Sequence, residues 1–243
     1  MKTIVIAAGY ATRLYPLTEN FPKPLLQIGG STILGRLIED VDTFAEIDEH
    51  IIVTNHKFAP IFEQWAAGLA TRCPVRIVDD GTSTNDTRLG AVRDLLFAIE
   101  QCGVDDDMLV MAADNILPFS LRGFVDEFQR KGTSMIMCHH EPSVKALQRT
   151  GVIKVDDDMK VLLMQEKPEV PCSNWAVPPF YIYSRYDLPL IKDCMNHGCG
   201  FDAPGNLAHY LTDASVLHAW PMPAARFDIG SLDSYEEAKK RFG

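Results

Sequence analysis

The 243-residue chain has little positive charge and no long apolar run. It has 23 Lys and Arg residues against 33 Asp and Glu residues. The resulting net charge of −10 argues against nucleic acid or an anionic membrane as the main partner. The apolar run Ile4–Ala8 is too short for a signal peptide or a membrane span, so we expect a cytoplasmic protein with no membrane partner. The six cysteines form no Cys-x-x-Cys pair, which favours reduced thiols over a disulfide framework.

Three common kinds of site are missing or incomplete. No Gly-Lys-Ser/Thr segment exists for a P-loop, and Gly9–Leu14 lacks the last two glycines of the dinucleotide fingerprint. Cys194, His197 and Cys199 offer a metal only three ligands, so a loop with ordinary thiols is the favoured interpretation. These absences argue against a P-loop enzyme, a dinucleotide oxidoreductase and a zinc site.

Apolar runs alternate with helical patterns through the first 145 residues. The predicted strands are Ile4–Ala8, His50–Thr54, Val75–Asp79, Met108–Ala112 and Ser134–His139. The predicted helices are Ser31–Phe44, Phe58–Ala70, Leu89–Gln101 and Leu121–Lys131. This alternation predicts an α/β fold with a doubly wound, mostly parallel, Rossmann-like sheet. Ligands of such sheets bind beyond the carboxyl ends of the strands, where Gly9, Asp79 and Asp114 fall.

After this core the pattern changes to short strands broken by prolines and acidic residues. These predicted strands are Gly151–Val155, Val161–Lys167 and Phe180–Ser184. They indicate an antiparallel insertion over the sheet edge, and Ser231 is the predicted N-cap of a closing helix. The length favours one domain, with a core at 1–145, an insertion at 146–226 and a closing segment at 227–243.

The most informative segment lies at residues 3–28. An apolar β-branched run leads into Ala7-Ala8-Gly9, a turn of small residues that lets a backbone N–H approach a phosphate or a base. Arg13 and Lys23 follow within a few residues. Two cations of different geometry beside one such turn indicate a polyphosphate site.

Residues 7–25 resemble the signature A-A-G-x-G-T-R-L-x-P-L-T-x-x-x-P-K-P-L of the sugar-1-phosphate nucleotidyltransferases, or nucleotide-sugar pyrophosphorylases. The single departure is Ala11, where that family usually has glycine. The chain is thus similar to glucose-1-phosphate thymidylyltransferases and their relatives. The resemblance implies a GT-A-like nucleotidyltransferase fold whose antiparallel insertion covers a sugar site. It also implies transfer of a nucleotidyl group from a nucleoside triphosphate to a sugar 1-phosphate, with Mg²⁺ as cofactor and pyrophosphate as product.

Two aspartates are the candidate metal ligands. Asp114 ends a buried apolar strand, where a carboxylate suits Mg²⁺ and where a turn-forming aspartate is the alternative. Ala113-Asp114-Asn115 resembles the family's G-D-N, and Phe227 to Ser231 resembles its aromatic-Asp-x-Gly-Ser/Thr, which implies a second ligand at Asp228. By the same resemblance Arg13, Lys23 and Asp114 are catalytic.

Later motifs imply the remaining contacts. Gln165 to Pro168 matches the family's E-K-P, in which the Glu accepts from sugar hydroxyls and the Lys contacts the sugar phosphate. The sugar-phosphate residues implied by the resemblance are Asn115, Gly151, Glu166, Lys167 and Val177. The implied nucleotide residues are Ala8, Gly9, Ala11, Thr12, Asn85 and Gly90. Asn85 falls at the family's base-reading glutamine, with a capped polar loop as an equally weighted alternative, and Pro178-Pro179 departs from the usual glycine-containing pocket wall.

Two other functions compete with this interpretation. A nucleotidyltransferase for a non-sugar phosphate such as phosphocholine shares the N-terminal motif, and a catalytically silent nucleotide-sensing domain would bind without turnover. Glu166, Gly151 and Asp228 favour a sugar, and the presence of all four of Arg13, Lys23, Asp114 and Asp228 argues against a silent domain. The base, the sugar and assembly into a homo-oligomer stay open.

Overall fold

The computed structural model describes residues 1–243 and alternates strands with helices along the chain. The strands are β1 Lys2–Ile6, β2 Gln27–Ile28, β3 Ser31–Thr32, β4 Glu49–Thr54, β5 Val75–Asp79, β6 Met108–Ala112, β7 Asn115–Ile116, β8 Ser134–His140, β9 Gly151–Val155, β10 Val161–Glu166, β11 Trp175–Val177, β12 Phe180–Tyr183, β13 Leu217–Pro221 and β14 Phe227–Asp228. The helices are α1 Ile33–Val41, α2 Ala59–Ala67, α3 Ala91–Cys102, α4 Arg122–Lys131, α5 Val144–Leu147, α6 Leu188–Asp193, α7 Gly205–Ala214 and α8 Leu232–Phe242. Their apolar stretches all fall short of the length that a bilayer crossing requires.

The chain divides into two compact units. Unit 1 contains Met1–Leu89, Ala112–Leu121 and Ala224–Gly243, and unit 2 contains Gly90–Met111 and Arg122–Pro223. Each unit is therefore assembled from separated segments of the sequence. The predicted α/β fold is confirmed, with parallel central strands in unit 1 and an antiparallel part formed after residue 150.

Unit 1 is built on three parallel strands. β4 pairs with β1 on one side and with β5 on the other, and all six of its residues are buried. Such a strand needs β-branched apolar residues because both of its faces are covered. The helix α1 presents an apolar stripe that includes Leu34, Leu37 and Val41, and the Thr32 hydroxyl caps its first turn by accepting from Gly35 N.

The N-terminal loop and the C-terminal segment of unit 1 share one apolar cluster. Its buried members are Leu14, Leu26, Ile28, Ile33, Ile116, Ile229, Tyr235 and Ala238. Ser231 caps α8 by accepting from Ser234 N at 3.2 Å, so the predicted N-cap is confirmed. This cluster brings the residues that precede α8 to the loop that follows β1. It thereby places the predicted C-terminal motif beside the N-terminal motif.

Unit 2 is mostly antiparallel. β12 lies between β6 and β8, β13 runs parallel to β8, and β11, β9 and β10 extend the sheet from the far end of β8. The insertion expected over the sheet edge thus contributes an internal strand, because β12 pairs with a strand on each side and all four of its residues are buried. The strands β11 and β12 are one run interrupted at Pro178-Pro179. Trp175 pairs with His140, and Tyr181 pairs with Ile136. Between these two pairs the β11–β12 run advances by six residues while β8 advances by four, so the prolines lie in a stretch with two extra residues.

Candidate active site

The turn after β1 leaves open space above a fixed backbone. Ala7 N donates to Val53 O at 2.8 Å, and Asn55 Nδ2 donates to Ala8 O at 3.0 Å, so neighbouring elements hold the turn. Gly9 is exposed, and a Cβ added to it would meet no heavy atom within 4 Å. Protein packing does not require glycine there, and the space above this backbone is open to a ligand.

Ala11 has a left-handed backbone, with φ of 46° and ψ of 42°. Its carbonyl accepts from Leu14 N at 2.9 Å and from Thr18 Oγ1 at 2.8 Å, and its methyl packs against the apolar cluster of unit 1. These contacts hold a conformation that L-residues other than Gly, Asn and Asp rarely adopt. The usual glycine at this position therefore has a local cause, the left-handed turn before the short helix 12–14.

A cavity of about 240 Å³ opens at this turn, with Arg13, Lys23 and Asp114 in its wall. The other lining residues are Ile6, Ala7, Gly9, Ala11, Pro24, Ala112 and Ala113. All of them belong to unit 1. The structure thus brings together the three predicted catalytic residues with Gly9 and Ala11 of the predicted nucleotide set. Ala8 is buried, and Thr12 is exposed at the start of the short helix 12–14.

Lys23 and Asp114 form an ion pair in this cavity. Lys23 Nζ lies 2.8 Å from Asp114 Oδ2 and donates to Ile229 O at 3.0 Å. The side chains are 12% and 32% exposed, so the pair is largely shielded from water yet reachable from the cavity. The ammonium has a third proton that neither acceptor uses.

Asp228 reaches the same region through a short antiparallel ladder. β14 pairs with β7, and Asp228 lies opposite Asn115. Asn115 is fully buried, its Nδ2 donates to Asp114 Oδ1 at 2.7 Å, and its Oδ1 accepts from Arg226 Nη1. Arg226 Nη1 also lies 3.3 Å from Asp228 Oδ1. Hydrogen bonds therefore connect the two predicted metal ligands through an amide and a guanidinium.

The donor set suits a hard divalent cation. Asp114 and Asp228 offer only carboxylate oxygens, and no sulfur or imidazole contacts them. Two carboxylates leave further coordination positions for phosphate and water, as Mg²⁺ requires in nucleotide sites. The carboxylate of Asp228 is 54% exposed and can turn toward a ligand.

Four of the five predicted sugar-phosphate residues lie on or directly after three neighbouring strands of unit 2, whereas Asn115 lies on β7 in unit 1. Gly151 on β9 pairs with Glu166 on β10 and with Val177 on β11. Lys167 follows β10 in a left-handed conformation, with φ of 48°, and its Nζ lies 3.8 Å from Glu166 Oε1. Burial raises the pKa of Glu166, against the opposing charge of Lys167. A shielded carboxylate with one distant ion pair has acceptor capacity left for hydroxyl groups.

Gly205 adjoins the predicted sugar residue Glu166, and no sequence motif points to it. It begins α7, which packs on β10, and a Cβ at this glycine would overlap Glu166 Oε2. Four residues later His209 Nδ1 lies 2.5 Å from Met164 O, two residues before Glu166. One face of α7 therefore supports the end of β10. A glycine opening a helix next to a buried carboxylate is the signal that could have identified it.

Asn85 and Gly90 have different local roles. Asn85 is exposed in the short helix 85–87, where its side chain makes no hydrogen bond within the protein. Gly90 has φ of +92°, and a Cβ there would lie 2.6 Å from Phe201 O. The first N–H groups of α3, from Ala91 and Val92, donate to loop carbonyls at 202 and 201. These two donors of the helix start are therefore already used by the protein.

A buried polar cluster lies elsewhere in unit 1. His50 Nε2 is 3.0 Å from Asp42 Oδ1, and the same carboxylate accepts from the backbone N–H groups of Arg72 and Cys73 at 2.6 and 2.9 Å. Burial alone would raise the pKa of Asp42, but these hydrogen bonds outweigh it and lower the pKa to about 2. Thr3 Oγ1 contacts His50 Nδ1 at 2.7 Å, so the cluster is hydrogen-bonded throughout and we assign it a structural role.

A family model described as nucleotidyl transferase matches residues 2–242. The UTP–glucose-1-phosphate uridylyltransferase AglF of Haloferax volcanii is 26% identical over 251 residues, covering 99% of this chain and 96% of that protein. The glucose-1-phosphate adenylyltransferase of Fervidobacterium nodosum is 24% identical over 251 residues, covering 96% of this chain but only 59% of that protein. The chain thus spans little more than half of the second relative.

A solved structure shares the whole fold. The crystal structure of a UDP-glucose pyrophosphorylase complexed with UDP-glucose matches this chain with a TM-score of 0.82 at 20% sequence identity. The match covers 99% of this chain and 97% of that chain. At this identity the likeness establishes the fold, and the nucleotidyltransferase fold expected from the sequence is confirmed.

Proposed function

The chain belongs to the nucleotidyl transferase family, and from this premise we propose that it transfers a nucleotidyl group from a nucleoside triphosphate to a sugar 1-phosphate. Relatives that align with nearly all of this chain are named for uridylyl and adenylyl transfer with glucose 1-phosphate. The observation that carries the proposal is the Lys23–Asp114 pair at 2.8 Å in the wall of the cavity beside Gly9. This pair supports the proposal because an ammonium group suits a phosphate and a carboxylate suits Mg²⁺, and both border the same small-residue turn.

The reaction is an in-line displacement at the α-phosphorus. A phosphate oxygen of the sugar 1-phosphate forms the new P–O bond, the bond to the bridging β-oxygen breaks, and pyrophosphate leaves. The attacking oxygen is already anionic, so the protein needs no general base. What it must supply is the alignment of two polyanions and charge stabilisation at the phosphorus.

Unit 1 holds the groups for the phosphates. In this proposal Arg13, which is exposed at the cavity, binds the β- and γ-phosphates and the departing pyrophosphate. Lys23 contacts the α-phosphate and the incoming sugar phosphate with the proton that Asp114 and Ile229 leave free. Both cations counter the negative charge that two phosphorylated substrates bring together.

Asp114 and Asp228 would hold Mg²⁺. A divalent cation bound there supplies charge neutralisation and polarisation of the α-phosphoryl group. Asn115 orients Asp114 beforehand through its hydrogen bond, and Arg226 is paired with Asp228. With Asp114 engaged by a metal, Lys23 would be available to the substrate phosphates.

Unit 2 holds the groups proposed for the sugar. Glu166 accepts hydrogen bonds from sugar hydroxyls, and Lys167, whose side chain is 54% exposed, contacts the phosphate. A Cβ added at Gly151 would lie 3.2 Å from Val177 Cβ and 3.4 Å from Glu166 Oε2, so this glycine leaves room for Glu166, and Val177 on the next strand forms an apolar wall. The segments 1–145, 146–226 and 227–243 keep their proposed roles in nucleotide binding, sugar binding and closure.

For the nucleotide, Gly9 and Ala11 admit the phosphates, and the exposed amide of Asn85 reads the base. An amide side chain both donates and accepts, so it fits the edge of a pyrimidine but does not decide which one.

A substrate matrix tests the proposal. Four nucleoside triphosphates are combined with sugar 1-phosphates and with phosphocholine, and pyrophosphate release is measured. We expect release with a sugar 1-phosphate, and a fall in kcat of the order of 10²–10³ for Lys23→Ala and for Asp114→Ala. Lys145→Ala, at an exposed helix position, is the matched control. Turnover with phosphocholine alone, or unchanged kcat in both site variants, would refute the assignment.

A further inference from the structure

Arg226 is a largely buried cation that the sequence analysis does not single out. It precedes β14, and its side chain is 19% exposed. Nη1 donates to Asn115 Oδ1 and to Asp228 Oδ1. The Nε atom is buried without a hydrogen-bond partner. The guanidinium therefore has donors that no protein group uses.

The carboxylate of Asp228 pairs with one guanidinium group and borders the same small space as another. Its Oδ1 accepts from Arg226, and its Oδ2 would lie 3.1 Å from a Cβ added at Gly230. Arg13 Nη1 and Nη2 would lie 3.9 and 4.0 Å from that same Cβ position. The missing side chain of Gly230 thus leaves Asp228 and Arg13 bordering one small space. Arg226 contacts the other oxygen of the same carboxylate.

The contact of Arg226 with Asp228 repeats the contact of Lys23 with Asp114. In each pair a cation neutralises a carboxylate proposed to bind metal, at 3.3 and 2.8 Å. Together with Arg13, the three cations exceed the two carboxylates by one charge. Such a site attracts a polyanion, but it opposes a free divalent cation, which must compete with both cations for the same oxygens.

Resting on the proposed function, we propose that Arg226 is a third polyphosphate-binding cation, which Asp228 holds in the free protein and releases when it turns to the metal. Asn115, fully buried, keeps its contact to Nη1 and so fixes the position of the guanidinium. The two Nη groups can then donate to a phosphate, which arginine binds through two parallel hydrogen bonds, while the buried Nε stays out of its reach. In the protein without nucleotide, Arg226 weakens the binding of a free metal ion.

Arg226→Met should therefore shift two affinities in opposite directions. Free Mn²⁺, measured by electron paramagnetic resonance without nucleotide, should bind about tenfold more tightly, because one competing positive charge is gone. Tripolyphosphate, which carries the charges of a nucleotide but no base, should bind roughly 10- to 100-fold more weakly in calorimetry with EDTA. A residue with only a structural role would weaken both, and that result would overturn the proposal. No change in either affinity would overturn it as well.

Two arginine variants serve as controls. Arg241→Met removes an exposed guanidinium of α8 that packs on the Phe227 ring, and it should leave both affinities unchanged. Arg226→Lys keeps the charge without the planar fork. It should bind Mn²⁺ like the parent and tripolyphosphate with intermediate affinity.

Asp228→Asn keeps the proposal testable if Arg226→Met does not fold. It frees Arg226 from its ion pair, so tripolyphosphate in EDTA should bind more tightly, and weaker binding would contradict the proposal. None of these measurements uses a sugar or turnover. An absence of pyrophosphate release would therefore refute the proposed reaction independently of this result.

Discussion

Gly205→Ala should destabilise unit 2 only while Glu166 is present. The glycine begins α7 without a positive φ, so alanine suits the backbone and would by itself favour the helix. The added methyl, however, would overlap Glu166 Oε2 and come within 3.0 Å of Glu166 Cδ and 3.1 Å of Met164 Cε. Methionine yields easily at its flexible end. The conflict is therefore mainly between the new methyl and the carboxylate.

The size of the effect follows from two opposing contributions. Overpacking a filled site costs about 1–3 kcal/mol, and the lower end applies because the end of Glu166 can turn outward. Replacing glycine by alanine in a helix returns roughly 0.5–1 kcal/mol. We expect a net loss of about 0–1 kcal/mol in the parent protein. In a Glu166→Ala background the same change should stabilise the protein by roughly 0.5–1 kcal/mol.

A double-mutant cycle in urea measures this coupling. The four proteins are the parent, Gly205→Ala, Glu166→Ala and the double variant, and their free energies of unfolding should give a coupling of about 0.5–2 kcal/mol. Equal effects of Gly205→Ala in both backgrounds would show that the methyl does not meet the carboxylate. That outcome would refute the argument that this glycine exists to make room for Glu166.

The same substitution has a kinetic signature. If the displaced carboxylate is the sugar ligand, Gly205→Ala should raise KM for the sugar 1-phosphate roughly 10- to 100-fold, the range for losing a hydrogen bond to a charged group. The KM for the triphosphate should stay at the parent value, since the proposed phosphate residues lie in unit 1. A rise in the triphosphate KM alone would contradict the assigned role of Glu166.

Three further predictions concern unit 1. Gly9→Ala should have a free energy of unfolding within about 0.5 kcal/mol of the parent in urea melts, but it should raise the KM for the triphosphate. Gly30→Ala is the control, because its added methyl also enters open space, and it should change neither quantity. Ala11→Gly should change the free energy of unfolding by less than about 1 kcal/mol. Glycine relieves the strain of the left-handed backbone, but it loses the methyl contact and makes the unfolded chain more flexible. If the KM for each triphosphate then equals that of the parent, the methyl has no effect on nucleotide binding. The pKa of Asp42 is lowered to about 2, so its stabilisation is present above about pH 4 and lost as the pH falls toward 2. Asp42→Asn should remove that part of the acid slope in unfolding measured between pH 2.5 and 5, and an unchanged slope would contradict it.

Local sequence determines most of the elements that carry the site. Val75–Asp79 and Met108–Ala112 form strands with the predicted bounds, because each is rich in apolar residues and is bounded by turn residues. Ser231 caps α8 as predicted, since its hydroxyl needs only a backbone N–H three residues away. The helix α7 and the strand β13 were not predicted, although α7 carries the glycine that adjoins Glu166.

Contacts across long separations are what the sequence could not provide. Arg226 binds Asn115 from 111 residues away, and nothing near Asn115 indicates that its amide is fully buried between an aspartate and a guanidinium. The contact of Asn115 with the sugar phosphate stays a prediction. The structure adds a hydrogen bond from Asn115 to Asp114, which orients that carboxylate. A weak signal did exist, because Arg226 and Asp228 are two residues apart and can share one face of an extended segment.

The charges of unit 1 also bear on the order of binding. In the free protein Lys23 and Arg226 each occupy a carboxylate that a metal would need, so a metal arriving alone must displace both cations without compensation. A metal that arrives with the triphosphate brings phosphate oxygens that accept the displaced cations at once. The two ion pairs within the protein are then replaced by ion pairs between the same two cations and the substrate phosphates. Each of the two ligands, metal and triphosphate, should therefore increase the protein's affinity for the other. Mn²⁺ titrations with and without tripolyphosphate test this. The protein should bind Mn²⁺ more tightly when tripolyphosphate is present, by more than the affinity of tripolyphosphate itself for Mn²⁺ explains.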